Sequence, residues 1–399
     1  MALEEPDALT EFSSANTPRT TGVILGLLPA VFLAVLLLGN ENSVGWLGAH
    51  PLETPRLPYD QSLLQPKKRD WIRNHPPQGV AVGLYSMDPR FDYQQHLEEV
   101  AATGARWVEL IVNYYQERHD SSSVAINDRR TATPKRIRTT IQQAHQLGLK
   151  VHLMPILLIR EPRAQDWRGT ITPIEPTRWH RSYREWMREV AEVAEENSVE
   201  ALCVGSELNS RQGERSEWLE TIARVREVYH GAVTYSANWD SYETVSFLDA
   251  LDAIGMTTYH PLVSGTNYDP TLDQLVQAWL PLEAKLSRWA SEIDLPMLFT
   301  EVGYPSIDGA AMRPWDYTAQ GPPDELEQHD CLRAFEAVWS ESEVLTGVFF
   351  FIWWGEGGPL DRGYTVRGKK GCEVIERWFR TTLQSGAAEN SSAPAQTDD

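Results

Sequence analysis

Between Pro76 and about Leu383 the chain alternates short apolar runs of β character with longer stretches whose apolar positions recur at helical spacing. That is the pattern of parallel strand and helix units. Eight runs qualify as strands: 80–84, 107–112, 150–156, 201–205, 232–236, 253–258, 297–300 and 347–353. Amphipathic segments lie between them, at 93–103, 134–147, 178–196, 214–229, 272–292 and 325–339. Gly104, Gly148 and Gly231 precede strands, where left-handed helix caps are expected, and Pro134 suits a first helical turn. The pattern predicts a (β/α)8 TIM barrel over 76–383, which takes about 250 residues in its simplest form. A doubly wound open sheet fits less well, because no glycine-rich phosphate loop follows the first strand.

The stretch that opens at Gly22 and closes at Gly39 (22–39) holds no charged residue and is just long enough to cross a hydrocarbon core, so one transmembrane helix is expected there. A cleaved signal peptide is the rival, but Glu4, Glu5, Asp7 and Glu11 outweigh Arg19 ahead of it, and no small-x-small cleavage site follows closely. Arg19 on one flank, with Glu41 and Glu53 on the other before Arg56, orients the segment weakly with its N-terminus inside. This predicts a single-pass membrane protein with an N-terminal tail at 1–21, a Pro-rich polar tether at 40–75 and the catalytic domain on the extracytoplasmic side. From 384 to 399 the composition is that of a disordered tail.

Composition narrows the function. The 399 residues carry a formal charge of −20, which argues against binding phosphate backbones and therefore against a nucleic-acid partner. A neutral polysaccharide would be indifferent to that field. The 15 Trp, 14 Tyr and 10 Phe supply a core and an excess of flat faces on which sugar rings stack. Cys203, Cys331 and Cys372 form neither a metal spacing nor an even disulfide set. Cys203 reads as a small buried hydrophobe, and a Cys331–Cys372 pairing stays open. No obligate protein partner is evident.

Two glutamates end apolar runs, Glu207 after Ala201-Leu-Cys-Val-Gly-Ser and Glu301 after Met297-Leu-Phe-Thr. In a barrel, the C-terminal ends of all strands face one pocket, so residues distant in sequence converge there. Cleavage of a glycosidic bond needs such a carboxylate pair, one to protonate the leaving oxygen and one to attack or assist at the anomeric carbon. The other polar or aromatic strand ends belong to the same candidate cleft: Asn113 after the second strand, Asn238 and Trp239 after the fifth, Tyr259 and His260 after the sixth, Trp353 and Trp354 at the eighth. Of Asn238–Trp239 and of Trp353–Trp354, one member has to point away from the packed barrel interior. Metal-dependent barrel hydrolases usually begin with paired His on the first strand; 79–87 has no His, so neither metal nor other cofactor is expected.

Six motifs then stand in order: Trp167-Arg-Gly-Thr-Ile-Thr-Pro173, Gly205-Ser-Glu-Leu208, Glu217-Trp218 with Val225-Arg226, Thr234-Tyr-Ser-Ala-Asn-Trp239, Thr300-Glu-Val-Gly-Tyr304, and Asp308-Gly-Ala-Ala with Pro314-Trp315. With them the chain resembles glycoside hydrolase family 113 from about Gly79 to Trp354. The resemblance implies a clan A TIM barrel with endo-β-1,4-mannanase activity and retention of configuration. It implies Glu207 as acid/base, Glu301 as nucleophile, Tyr259 as the tyrosine that hydrogen-bonds the nucleophile, and Trp353 or Trp354 as the aromatic floor at the cleaved bond. Trp167 and Tyr304, from the same motifs, join the candidate substrate contacts. The chain departs from the family pattern at Ser206, where Thr is preferred, and on the third strand, where Met154 and Ile156 replace Lys and His. Two polar groups are thereby lost from the pocket edge, and buried polar matching is what sets sharp sugar specificity. Three readings stay open: hydrolysis of a mannan-like glycan, hydrolysis or glycosyl transfer on another β-glycan, and a barrel that binds carbohydrate without cleaving it.

Overall fold

The computed structural model describes residues 59–392, apart from 125–127, 164 and 266–268. Eight strands, β1 (Gln78–Gly83), β2 (Trp107–Gln116), β3 (Lys150–Ile159), β4 (Ala201–Ser206), β5 (Ala232–Ala237), β6 (Ala253–Thr257), β7 (Met297–Val302) and β8 (Leu345–Phe350), close in sequence order into a barrel. Every pairing is parallel, including the closure of β1 on β8. Around it run α2 (Gln94–Ala102), α3 (Pro134–Gln146), α4 (Pro176–Glu196), α5 (Arg215–Arg226), α6 (Leu272–Ile293), α7 (Glu325–Trp339) and α8 (Gly371–Ser392), with a short α1 (Arg69–Asn74) ahead of β1. Between β5 and β6 the chain makes only two single-turn 3-10 segments. This is the expected (β/α)8 TIM barrel.

Local chemistry accounts for the element ends. Thr133 caps α3 by accepting from the Arg136 N–H at 3.3 Å, with Pro134 in the first turn. Gly148 takes φ +76° after that helix, a conformation that costs an L-residue about 1 kcal/mol or more. Gly231, also expected to be left-handed, is not; it is there for space, since a Cβ would lie 2.1 Å from the Tyr229 hydroxyl and 2.9 Å from the Val199 carbonyl.

Strand alternation sorts the side chains into layers. Val108, Leu110, Val112 and Tyr114 of β2 face the helices, with Val151, Leu153, Leu157 and Ile159 of β3. The opposite faces put Ile111, Tyr115, Met154, Ile156, Leu158 and Cys203 inside the barrel toward its C-terminal end. The N-terminal end is filled by Trp107, Ala201, Ala232, Ala253, Leu298 and Phe349, together with Ile72 of α1.

That last contact revises the domain boundaries. Residues 59–75 were expected to belong to the tether at 40–75, on the strength of their proline and polar content; instead they are bolted to the barrel. The Lys67 and Lys68 N–H groups donate to Asp252 Oδ1 at 2.8 and 2.7 Å, and Arg226 Nη2 and the Val233 N–H donate to its other oxygen. Ile72 is fully buried, a plug whose apolar area outweighs the polarity of its neighbours. The tail expected from 384 begins inside α8, where a packed first half gives the helix its costly nucleus. Among the described residues no helix is long and apolar enough to cross a membrane; the expected segment 22–39, the tail at 1–21 and residues 40–58 lie outside the described residues. Cys203, Cys331 and Cys372 are free thiols.

Candidate active site

Glu207 and Glu301 stand at the C-terminal ends of β4 and β7 beside breaks in strand register. The β4–β5 pairing shifts between Cys203 and Ser206, and the β6–β7 pairing shifts so that Thr257 opposes Glu301. Such irregularities re-aim side chains at barrel rims. At Glu207 the redirection goes further. Its φ is +52°, a left-handed backbone that a glutamate adopts at a cost of about 1–3 kcal/mol. Its N–H donates to the Ser236 carbonyl at 2.8 Å and the next N–H, of Leu208, to the Tyr235 hydroxyl at 3.1 Å. These two bonds on β5 hold the turn.

Both carboxylates are buried, Glu207 at 4% and Glu301 at 2% exposure. Glu207 Oε1 accepts from the Thr257 hydroxyl at 2.7 Å, and Oε2 lies 2.6 Å from Nη2 of Arg168. Glu301 Oε2 accepts from the Tyr259 hydroxyl at 2.6 Å. Burial pushes the Glu301 carboxyl upward, and the charge of Glu207 adds to it; Arg168 and the Tyr259 hydrogen bond pull the other way. Burial and the neighbouring charge thus favour Glu301 in its protonated form, which places a proton within the site. Acid-assisted nucleophilic displacement at a glycosidic carbon requires two carboxyls, one protonated and one charged.

The remaining expected contacts divide. Asn113 does not follow β2 but lies within it, because β2 and β3 stay paired from Trp107↔Lys150 to Gln116↔Ile159; it is buried on the face that carries Ile111 and Tyr115. Asn238 is buried just past β5, its Oδ1 capping the Asp240 N–H at 3.4 Å. Trp239, half-buried, stacks on Trp315 with ring centres 5.6 Å apart and meets His260 at 5.2 Å. Trp167 lies over Gly169, where a Cβ would come within 2.3 Å of its ring.

Two expected contacts lie elsewhere. Tyr304 is buried in the layer between barrel and helices; β7 runs to Val302, so Tyr304 falls past the strand end on its outer face. Trp353 is likewise in the helix-facing layer, its Nε1 donating to Glu99 Oε2 of α2 at 2.9 Å. Trp354, half-buried, is the member of that pair that reaches the inner cluster, its ring 5.7 Å from that of Tyr85, while its other contacts run to Phe91 at 5.8 Å and His96 at 6.2 Å. The backbone between β8 and these tryptophans includes a cis peptide at Phe351–Ile352. Because Trp353 is buried and bonded to Glu99, replacing it by Ala should lower stability by about 3–5 kcal/mol, as expected for a buried Trp. The substrate KM of the folded fraction should hardly change. Trp354→Ala should show the opposite bias, a raised KM with a small change in melting temperature. Thermal melts and steady-state kinetics on both variants separate the two, and a KM effect from Trp353 alone would reverse the assignment.

Sequence reasoning missed Arg168, Thr257, Tyr85 and Tyr364. Arg168 sits inside a motif already singled out for its neighbour Trp167; a buried arginine leaves no periodic signal, and only its partner reveals its role. Thr257 reads as an ordinary strand threonine. Tyr85 and Tyr364, both buried, close the inner cluster around Tyr259.

The chain matches a family model described as Glycoside Hydrolase Family 113 over residues 88–368. Among solved structures, it is similar to the GH113 β-mannanase AaManA from Alicyclobacillus acidocaldarius in complex with ManMIm, at 27% identity and a TM-score of 0.69, over 76% of this chain and 97% of that one. A second GH113 β-1,4-mannanase structure matches at 25% identity and a TM-score of 0.65, over 76% and 98%. A β-glucuronidase from Faecalibacterium prausnitzii, at 13% identity and a TM-score of 0.53 over 76% of this chain and 49% of that one, shares the fold. No curated protein sequence matches the chain.

Proposed function

The chain belongs to glycoside hydrolase family 113 and is an O-glycosyl hydrolase; from that premise we propose that it cleaves a β-linked glycan of the β-1,4-mannan type with retention of configuration, with Glu301 as nucleophile and Glu207 as acid/base. The observation that carries this reading is the buried pair itself, two carboxylates on β4 and β7 with Tyr259 donating to Glu301. In the first step a Glu301 oxygen attacks the anomeric carbon, the glycosidic C–O bond breaks, and the Glu207 proton passes to the leaving oxygen. In the second, water attacks the same carbon, the glycosyl ester bond breaks to release Glu301 as carboxylate, and a water proton passes to Glu207. Tyr259 supports the charged form of Glu301.

One observation favours a different β-glycan. The inner face of β3 next to the pair carries Met154 and Ile156, buried against Tyr85, Tyr115 and Tyr259. That wall offers a sugar hydroxyl no side-chain partner from β3, and hydroxyl recognition depends on such partners. Incubating the full-length protein with mannan, glucan, xylan and chitooligosaccharides, with NMR of the first anomer released, tests both points. Turnover of mannan with the β-anomer first is the expected result. An α-anomer first would mean inversion, and turnover of another glycan alone would move the substrate class.

For the cellular setting, the uncharged segment 22–39 supports a single membrane anchor with the barrel held outside the cytoplasm. The full-length protein should sediment with membranes and resist extraction by carbonate or high salt. Recovery in the supernatant after gentle lysis would remove the anchor from the scheme.

A further inference from the structure

Arg168 is 2% exposed, yet it lies on the connection between β3 and α4 and reaches across to the end of β4. Its position does not depend on its side chain. The flanking backbone is tied to the loop that follows Glu207: the Ser210 N–H donates to the Gly169 carbonyl at 3.1 Å and the Ser210 hydroxyl to the Ile171 carbonyl at 2.6 Å. Trp167 covers Gly169 from the other side. The guanidinium is thus mounted on the same structural unit as the carboxylate it meets.

The ionisable groups inside the barrel near the pair are Tyr85 beyond β1, Glu109 in β2, Cys203 in β4, Tyr235 in β5, Tyr259 beyond β6 and Tyr364 in the connection after β8; His152 of β3, which burial holds neutral, bonds Glu109 and Thr234. Burial pushes the tyrosines, Cys203 and Glu109 upward, so at neutral pH they are uncharged or, for Glu109, disfavoured as a charge. Arg168 supplies positive charge to the pair, pulling Glu301 downward and meeting Glu207 Oε2 at 2.6 Å. With both carboxyls buried, a positive charge 2.6 Å from one of them outweighs the neutral hydrogen bonds in deciding which carboxyl is held charged.

We propose that Arg168 is a positioning residue that sets the protonation order of the pair: its guanidinium holds Glu207 as the carboxylate in the empty site and during hydrolysis of the glycosyl-enzyme, and must yield Glu207 when a glycosidic oxygen arrives. The inference rests on the glycosidase reading above. It follows from the two half-reactions, which need opposite states of Glu207. In the first, Glu207 must carry a proton and Glu301 must not, and the Arg168–Glu207 ion pair opposes that arrangement. In the second, Glu301 is an uncharged ester and Glu207 must accept a proton from water, the state the ion pair favours. Proton loading of Glu207 is therefore coupled to substrate binding, which brings a partner for the protonated carboxyl and excludes water.

The test compares wild type with Arg168→Met and Arg168→Lys in the full-length protein, on an aryl β-glycoside, across pH. Loss of a positive charge next to the pair should move both limbs of the kcat/KM profile to higher pH, by about one unit or more, whereas Arg168→Lys should hold them near the wild-type position. Limbs that stay fixed while activity and melting temperature fall would reduce Arg168 to a structural tie and overturn the proposal. Should Arg168→Met fail to fold, Arg168→Gln, which keeps donors without charge, takes its place. A titration of glutamate-13Cδ-labelled protein by NMR, with Glu207→Gln and Glu301→Gln as assignments, reads the same pair without turnover. Absence of any glycosidase activity in the wild type would count against the proposed function, while an unchanged titration in Arg168→Met would count against Arg168.

Discussion

Replacing Glu301 by Ala is expected to abolish turnover on every substrate, activated or not, with a loss of about 10⁴-fold or more in kcat, because no covalent intermediate can form without the attacking carboxylate. The fold should survive. Glu301 makes one side-chain hydrogen bond, to Tyr259, and removing a buried carboxyl whose charged form is disfavoured relieves part of the desolvation it imposes. Thermal melts close to wild type together with a dead enzyme would separate chemistry from stability. Residual turnover within about 100-fold of wild type on an aryl glycoside would remove Glu301 from the nucleophile's role.

Glu207→Ala should behave differently with each leaving group. On a glycan, whose alkoxide departs only if protonated, the loss should be about 10²–10⁴-fold, the usual contribution of a general acid. On an aryl glycoside the phenolate leaves unaided, so the first step should persist and the glycosyl-enzyme accumulate, visible as a burst of phenol followed by slow turnover. Azide, which needs no general base, should restore the second step and give a glycosyl azide of retained configuration. Rescue of the Glu301 variant with retained configuration, while the Glu207 variant stayed inert, would exchange the roles. This variant should also be less stable, since Arg168 loses its carboxylate at 2.6 Å and Thr257 its acceptor at 2.7 Å; stranding one partner of a buried ion pair costs about 3–5 kcal/mol. The kinetic comparison should accordingly be made below the lowered melting temperature.

Much of the fold was legible from periodicity. All eight strands lie where the apolar runs are, since each is buried on both faces and must be continuous in apolar residues. The errors lie at the edges. β2 and β3 run four and three residues beyond their expected ends, to Gln116 and Ile159, because each supplies the hydrogen bonds the other needs above the rim. Residues 59–75 look like a tether by composition, but a single Ile72 aimed at the open N-terminal end of the barrel decides otherwise.

The site divides along a similar line. The two glutamates were readable because chemistry and strand-end position coincide in sequence. Trp353 and Trp354 were readable only as a pair of which one turns outward; which one depends on the path of the chain after β8, and the Glu99 carboxylate on a distant helix fixes Trp353 there. Tyr304 joined the candidate contacts through the motif it shares with Glu301, yet three residues are enough to turn a side chain from the cleft to the helix layer.

What the sequence determined by itself, then, is whatever is encoded by local period and residue type: a closed parallel barrel, and a carboxylate pair at the ends of its fourth and seventh strands. What only the tertiary structure decided is whatever depends on which groups meet across the barrel. Arg168 against Glu207, Thr257 beneath it and the left-handed backbone at residue 207 leave no mark on periodicity. They arise from contacts between elements tens of residues apart, in a medium where burial multiplies the effect of each charge.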